Sequence, residues 1–156
     1  MLAVALVASI VVGAVQWRRA DRLATTESIR TGAAATADAF GIALFTYDYT
    51  DVGGAAAAVL KLATPHFALD YRASLANGLA ASITRLHATS SATVRDSYVA
   101  NVAGDRAGAF VIVDTRLVDP TGTREASDYL ELTLLRQAGQ WRVDAVMDVG
   151  SSSPSP

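Results

Sequence analysis

The chain has 156 residues, of which 13 are lysine or arginine and 15 are aspartate or glutamate, giving a formal net charge of −2 at pH 7. Because the basic residues form no stripe, the composition excludes the positive surface that nucleic-acid binding requires. The absence of cysteine excludes disulfides and thiol catalysis, and two histidines are too few for a typical zinc cluster. The composition therefore predicts an ordered globular domain that binds neither metal nor cofactor.

Residues 1–17 are predicted to form a transmembrane anchor. An uncharged, mostly apolar run extends from Met1 to Val15, and Trp17 and the arginine pair behind it suit the headgroup layer. Hydrocarbon cannot hydrogen-bond a peptide group, so the run enters lipid as a helix, and 17 residues reach about 25 Å of the ~30 Å hydrocarbon thickness. Small residues at positions 12–14 leave a cleaved signal peptide as the alternative. The basic N-terminal region of such peptides is absent, so we predict an uncleaved anchor.

Residues 18–149 are predicted to form one α+β domain that begins with three helices. Between residues 20 and 47 apolar side chains recur every three or four positions, which indicates a first helix continuing from the anchor. Asp51 suits the cap of a short alanine-rich helix, and Thr64 followed by Pro65 suits the start of a third. The third helix is predicted to run to His87 on its apolar positions, which are Phe67, Tyr71, Leu75, Leu79, Ile83 and Leu86.

Beyond Thr89 the apolar period changes to two, which predicts four strands. Val94 and Tyr98 lie an even number of positions apart, so they are predicted to lie on the same face of the first strand. The second strand is apolar enough at residues 110–113 to be covered on both faces for part of its length. Trp141 and Met147 share a face of the fourth.

The turns complete the predicted fold. Gly104-Asp105 is predicted to form the turn between the first and second strands. Ala138-Gly139-Gln140 is predicted to form a tight hairpin turn between the third and fourth strands. The fold class is therefore α+β, with three helices packed on one concave face of a four-stranded antiparallel sheet. Residues 150–156 are predicted to be a disordered tail.

The order and spacing of these motifs resemble the Mce-associated membrane proteins of mycobacteria and related actinobacteria. The resemblance covers nearly the whole chain. It is carried by the anchor running into an Ala/Thr-rich helix, Tyr47-Asp48-Tyr49 with Asp51, Thr64 and Phe67 with Tyr71, and the hairpin from Leu132-Thr133-Leu134 to Trp141-Arg142-Val143.

The resemblance implies a cone-shaped domain of the nuclear transport factor 2-like or cystatin-like kind, held by one membrane helix outside the cytoplasmic membrane. Its implied role is non-catalytic: an accessory or stabilising subunit of an Mce-type system that transports sterols or fatty acids. The implied partners are Mce transporter subunits and membrane lipid.

The charges around the anchor conflict with this orientation. Under the positive-inside rule, Arg18, Arg19 and Arg22 favour a cytoplasmic domain. Members of the family generally begin with a cytoplasmic stretch that this sequence does not show, and basic residues there would reverse the balance. We therefore expect the extracytoplasmic orientation.

Five aromatic residues are candidates for lining a cavity between helices and sheet; they are Tyr47, Phe67, Tyr71, Phe110 and Trp141. Such a concave apolar site can hold a small hydrophobic ligand, so a lipid or steroid carrier is the alternative function. A packed core requires the same residues, and we favour the core interpretation.

Catalysis ranks below both. Tyr47-Asp48-Tyr49 offers a carboxylate and two phenols for acid–base chemistry, but Asp48 and Asp51 equally suit the satisfaction of turn and helix-start amides. His66 and Asp70 share a helix face, where a surface ion pair of about 0.3–0.5 kcal/mol accounts for them. An isomerase- or dehydratase-like enzyme is the least favoured hypothesis, and no catalytic residue is predicted.

Overall fold

A computed structural model of the chain describes residues 27–152, and the predicted anchor at residues 1–17 lies outside them. The chain divides into two compact units, Met1–Thr31 and Gly32–Pro156. Residues 27–31 of the first unit are helical, and the second unit contains the sheet. No helix within residues 27–152 combines the length and the hydropathy needed to cross a bilayer.

Helices come first along the chain and a sheet follows. In chain order the elements are helix α1 (residues 27–45), strand β1 (Tyr47–Asp48), helices α2 (Val52–Leu62), α3 (Pro65–Ser74) and α4 (Ala80–Arg85), and strands β2 (Thr89–Ala103), β3 (Arg106–Asp119), β4 (Gly122–Gln137) and β5 (Gln140–Ser152). The predicted α+β class is confirmed. Within the described residues the sheet has five strands rather than the predicted four, because Tyr47 and Asp48 pair with Ser90 and Thr89.

The predicted capping residues begin α2 and α3. The Asp51 carboxylate accepts a hydrogen bond from the Gly54 amide at 2.8 Å. The Thr64 hydroxyl accepts one from the Phe67 amide at 3.3 Å. Each side chain satisfies an amide that has no partner inside its helix.

The helix predicted from Pro65 to His87 is interrupted. A π-helical turn, Leu75–Leu79, separates α3 from α4, and Gly78 within it has φ +122°. Glycine adopts this conformation because it has no Cβ. The apolar spacing continues through the kink, so periodicity alone could not reveal it.

All strands are antiparallel, in the order β1-β2-β3-β4-β5. The predicted hairpin between β4 and β5 turns at Ala138 and Gly139, whose φ values of +49° and +80° match a type I′ turn. Strand β5 continues to Ser152, three residues into the segment predicted as a disordered tail, and residues 153–156 lie outside the described part.

The helices cover one face of the sheet, and the core lies between them. Gly41 of α1 allows a close approach, because a Cβ at this position would lie 3.0 Å from a methyl group of Val113. The largest fully buried side chains are Phe40, Val59, Val111, Val113, Leu130, Leu132, Leu134 and Val143.

Register shifts in two strands overturn the predicted faces of two side chains. A bulge between Val94 and Asp96 separates Tyr98 from the face of Val94. A second shift, at the pairing of Thr133 and Leu134 with β5, separates Met147 from the face of Trp141. Each extra residue reverses the alternation of side chains beyond it.

Candidate functional site

An apolar cavity of about 370 Å³ lies between the helices and the sheet of the second unit. Its volume is at the lower end of the roughly 300–1,000 Å³ typical of ligand pockets. Its lining includes Leu44, Tyr47, Tyr71, Leu79, Leu130 and Val146.

Two of the five predicted lining residues, Tyr47 and Tyr71, reach this cavity. Phe67 packs beside it: its ring stacks on Tyr71 at a centroid distance of 6.0 Å and meets Phe40 edge-on at 5.4 Å. Phe67 therefore supports the cavity wall as part of the core.

The other two predicted residues lie elsewhere. Trp141 is buried beside α1, where a Cβ on Gly32 would lie 3.3 Å from its ring. Phe110 lies on the opposite face of the sheet and is 42% exposed. The structure therefore does not bring the five aromatic residues together.

Most of the side chains that line the cavity are apolar, and its polar side chains are Thr46, Tyr47, Tyr71 and Asp148. Burial raises the pKa of the Tyr47 and Tyr71 phenols above the usual 10.0, so both phenols stay protonated at neutral pH. The Asp148 carboxylate accepts a hydrogen bond from the Gly150 amide at 2.8 Å. The cavity therefore offers mainly an apolar surface.

Asp48 acts in a turn, as the turn interpretation predicts. Its Oδ1 accepts hydrogen bonds from the Thr50 amide at 2.8 Å and the Thr50 hydroxyl at 2.6 Å. These bonds hold the pKa of the carboxyl below its usual value.

The predicted ion pair between His66 and Asp70 does not form. Its Nδ1 lies 3.8 Å from Oδ1 of Asp144 on β5, and the same carboxylate oxygen accepts a hydrogen bond from the Thr64 hydroxyl at 2.7 Å. The group joins the start of α3 to β5, which is a structural task. Within residues 27–152, no three His, Asp or Glu side chains converge closely enough to bind a metal ion.

The face of the sheet opposite Val111 and Leu132, which we call the open face, carries exposed apolar side chains. Tyr98 is 63% exposed and Met147 61% exposed, alongside Phe110. Across the four long strands Tyr98 pairs with Phe110, Phe110 with Glu131, and Glu131 with Met147. These four residues form what we call the open-face row. Exposed apolar side chains gathered on one face of a domain are typical of interaction sites.

Sequence reasoning missed the open-face row because the two bulges hid the orientation of Tyr98 and Met147. One signal was present. The predicted coverage of both faces at residues 110–113 requires apolar side chains on both parities, and Phe110 and Ile112 provide the second set. The helices cover only the parity of Val111 and Val113.

Comparison with solved structures identifies the fold. An IcmL-like type IV secretion system protein from Legionella pneumophila is 16% identical, with a TM-score of 0.67 over 81% of this chain and 94% of that chain. The periplasmic domain of DotI is 11% identical, with a TM-score of 0.63 over 73% of this chain and 90% of that chain. Further similar structures include VirB8 from Agrobacterium tumefaciens and CagV, a VirB8 homologue from Helicobacter pylori.

An Ntf2-like protein involved in plasmid conjugation is 16% identical, with a TM-score of 0.53 over 81% of this chain and 51% of that chain. The nuclear transport factor 2-like fold predicted from the sequence is therefore confirmed. No protein-family model matches the chain, and no curated protein sequence matches it. At such low identities, the comparisons show the fold alone.

The assignment to Mce lipid transport is wrong. The similar structures belong to secretion and conjugation proteins, and nothing links the chain to the Mce-associated family. The predicted Mce partners and the mycobacterial lipid-transport role are corrected with it. The lipid or steroid carrier alternative is not supported either.

Proposed function

We propose that this chain is a VirB8-like, non-catalytic subunit of a type IV secretion or conjugation machine, acting through protein contacts. The observation that carries the proposal is the agreement among the similar structures, which their descriptions assign to type IV secretion or plasmid conjugation. The shared fold includes 94% of the chain in the L. pneumophila structure, so the likeness extends over a whole domain. One fold hosts many functions, so the proposal needs a functional test.

An extracytoplasmic position belongs to the same proposal. The structures of DotI and TraM with this fold are of periplasmic parts of those proteins. The predicted anchor at residues 1–17 would hold the domain beside the membrane.

A binding role fits the chemistry of the domain. The phenols at the cavity are protonated at neutral pH, and the carboxylates of Asp48 and Asp51 accept hydrogen bonds from nearby backbone amides. Three exposed large apolar side chains, Tyr98, Phe110 and Met147, lie on the open face, where they can meet another protein.

The test is removal of the gene for this chain from its own cells, followed by measurement of DNA or protein transfer to recipient cells. We expect transfer to be lost and to return when the full chain is restored. The restored chain, extracted in detergent, should also co-purify with other secretion subunits. Normal transfer after removal, at unchanged levels of the other subunits, would refute the proposal.

A further inference from the structure

The open-face row forms a continuous band across the sheet. Side chains directly opposite each other in antiparallel strands have Cβ atoms about 4.5–5.5 Å apart, and strands are spaced about 4.8 Å. Tyr98, Phe110, Glu131 and Met147 therefore span about 14 Å in a line. Phe110 and Met147 flank the carboxylate of Glu131 on either side.

Glu131 is the feature that distinguishes this band from an ordinary exposed patch. Two other carboxylates on the open face are paired with arginines: Asp114 with Arg95 at 2.7 Å, and Glu125 with Arg116 at 4.0 Å. Glu131 is exposed, and within residues 27–152 no lysine, arginine or histidine lies within ion-pair distance of it. The band therefore combines apolar surface with an uncompensated negative charge.

This combination selects a cationic, partly apolar partner. A lysine or arginine paired with Glu131 would also contact the neighbouring Phe110 ring, where cation–π attraction adds to the ion pair. Apolar residues on each side of that cation would cover Tyr98 and Met147. The neighbouring pair on the open face, Asp96 opposite Ile112, repeats an acidic residue beside an apolar one.

The same charges disfavour two other occupants. A second copy related by a two-fold axis through Glu131 would bring two carboxylates together, and the row contains no cation to compensate them. An anionic lipid surface would be repelled by Glu131 and Asp96.

We infer that the open-face row docks a segment of a partner protein in which a lysine or arginine is flanked by apolar residues. The inference deepens the proposed function, because it assigns a surface and a partner chemistry to a protein that works through contacts. It rests on the proposed function for the partner's membership of a secretion machine.

The experiment uses the full chain in its own cells, with the photocrosslinker p-benzoylphenylalanine placed at position 98 or 147. Position 69 is the control, because Leu69 is 67% exposed on α3, away from the open face. We expect positions 98 and 147 to crosslink the same partner segment, identified by mass spectrometry, and position 69 to leave that segment unlabelled.

Charge reversal supplies the matched comparison. Glu131→Lys should lower the crosslinking yield about tenfold, because it replaces an attraction with a repulsion. Glu125→Lys makes the same change on the same strand and face, six residues away, and should leave the yield within about twofold. Both positions are exposed, and unchanged unfolding midpoints would show that the variants fold.

The outcomes separate this inference from the proposed function. Crosslinks to a second copy or to lipid, no excess over position 69, or equal losses in the two charge variants would overturn the inference. A Glu131-dependent crosslink to a protein outside any secretion machine would support the surface and refute the proposed function. A loss of transfer on gene removal without a Glu131-dependent crosslink would support the proposed function and overturn the inference about the open-face row.

Discussion

At residues 110–113 the two faces of strand β3 carry similarly apolar side chains but differ in what covers them. Val111 and Val113 point into the core and are almost fully buried beneath the helices, whereas Phe110 on the other parity is 42% exposed. The sequence predicts that both faces of this strand are covered at residues 110–113. An apolar run in a strand therefore predicts that both faces of the strand are covered. It does not tell whether the covering side chains belong to the same chain or to another molecule.

The two faces also differ in their charges. The covered face has an apolar centre at Val113, Leu130 and Leu132, whereas the open face places Glu131 among apolar side chains. A core excludes an unpaired carboxylate, but a docking surface can use one to select a partner. We therefore expect substitutions on the covered face to change stability and substitutions on the open face to change binding.

The largest expected effect tests this division directly. Leu132→Ala removes a fully buried side chain and should lower the free energy of unfolding by about 2–5 kcal/mol, because it leaves a cavity in the core. Met147→Ala on the open face should stay within about 0.5 kcal/mol. Urea denaturation followed by circular dichroism measures both. Equal losses would show that the open face is part of the stabilising core.

A glycine pair tests how closely α1 packs on the covered face. Gly41→Val should cost about 2 kcal/mol of unfolding free energy, because its Cβ would press on methyl groups of Val113 and Val111 at 3.0 and 3.3 Å. Gly53→Ala is the control in α2, where the nearest atom is 3.9 Å away, and it should stabilise by about 0.5 kcal/mol. If Gly41→Val were also stabilising, the helix would not approach the sheet this closely.

Thr64 joins the helical layer to the edge of the sheet, and its replacement has an intermediate effect. Thr64→Val keeps the shape but removes the cap of α3 and the hydrogen bond to Asp144, and should cost about 1–2 kcal/mol. Thr64→Ser retains the hydroxyl and should recover most of the loss. The same denaturation series measures both variants, and equal losses would assign the effect to packing.

Features set by neighbouring residues were predictable from the sequence. The caps at Asp51 and Thr64 and the hairpin at Ala138-Gly139 depend on side chains or glycine within a few positions. The α+β class followed from the change of apolar period near Thr89. These features have local causes, and a single sequence contains them.

Features set by distant contacts were not predictable. The bulge near Asp144 reverses the face of Met147, and it is visible only in the pairing of β5 with β4. The pairing of β1 with β2 likewise depends on elements far apart along the chain. For the candidate site, sequence analysis therefore placed Tyr47 and Tyr71 correctly at the cavity. It did not predict the open-face row, which depends on the bulges.

The family resemblance misled for a related reason. Its motifs were a helix cap, an aromatic pair one helical turn apart and an amphipathic hairpin, which include Thr64, Tyr71 and Trp141. Each performs a task that many helix-on-sheet domains share, so together they identify the fold better than the function. Comparison with solved structures confirmed the nuclear transport factor 2-like fold but contradicted the Mce transport function.

The smallest expected effect separates the two faces by their response to acid. On the open face, the hydrogen bond from Ser127 and then that from Arg95 hold the pKa of Asp114 below the usual 3.8. A carboxyl with a lowered folded pKa stabilises above its unfolded pKa, and this contribution is lost as pH falls through the folded value. The urea midpoint should therefore stay level from about pH 7 to 5 and fall below about pH 4.

Asp114→Asn should weaken this decline without abolishing it, because hydrogen bonds from Thr50 and Thr121 also lower the pKa of Asp48 and Asp119. Leu132→Ala should instead lower the midpoint by a similar amount at every pH, because it alters apolar contacts only. Urea titrations at several pH values measure both variants. If Asp114→Asn kept the wild-type decline while Leu132→Ala changed it, the electrostatic part of the contrast between the faces would be wrong.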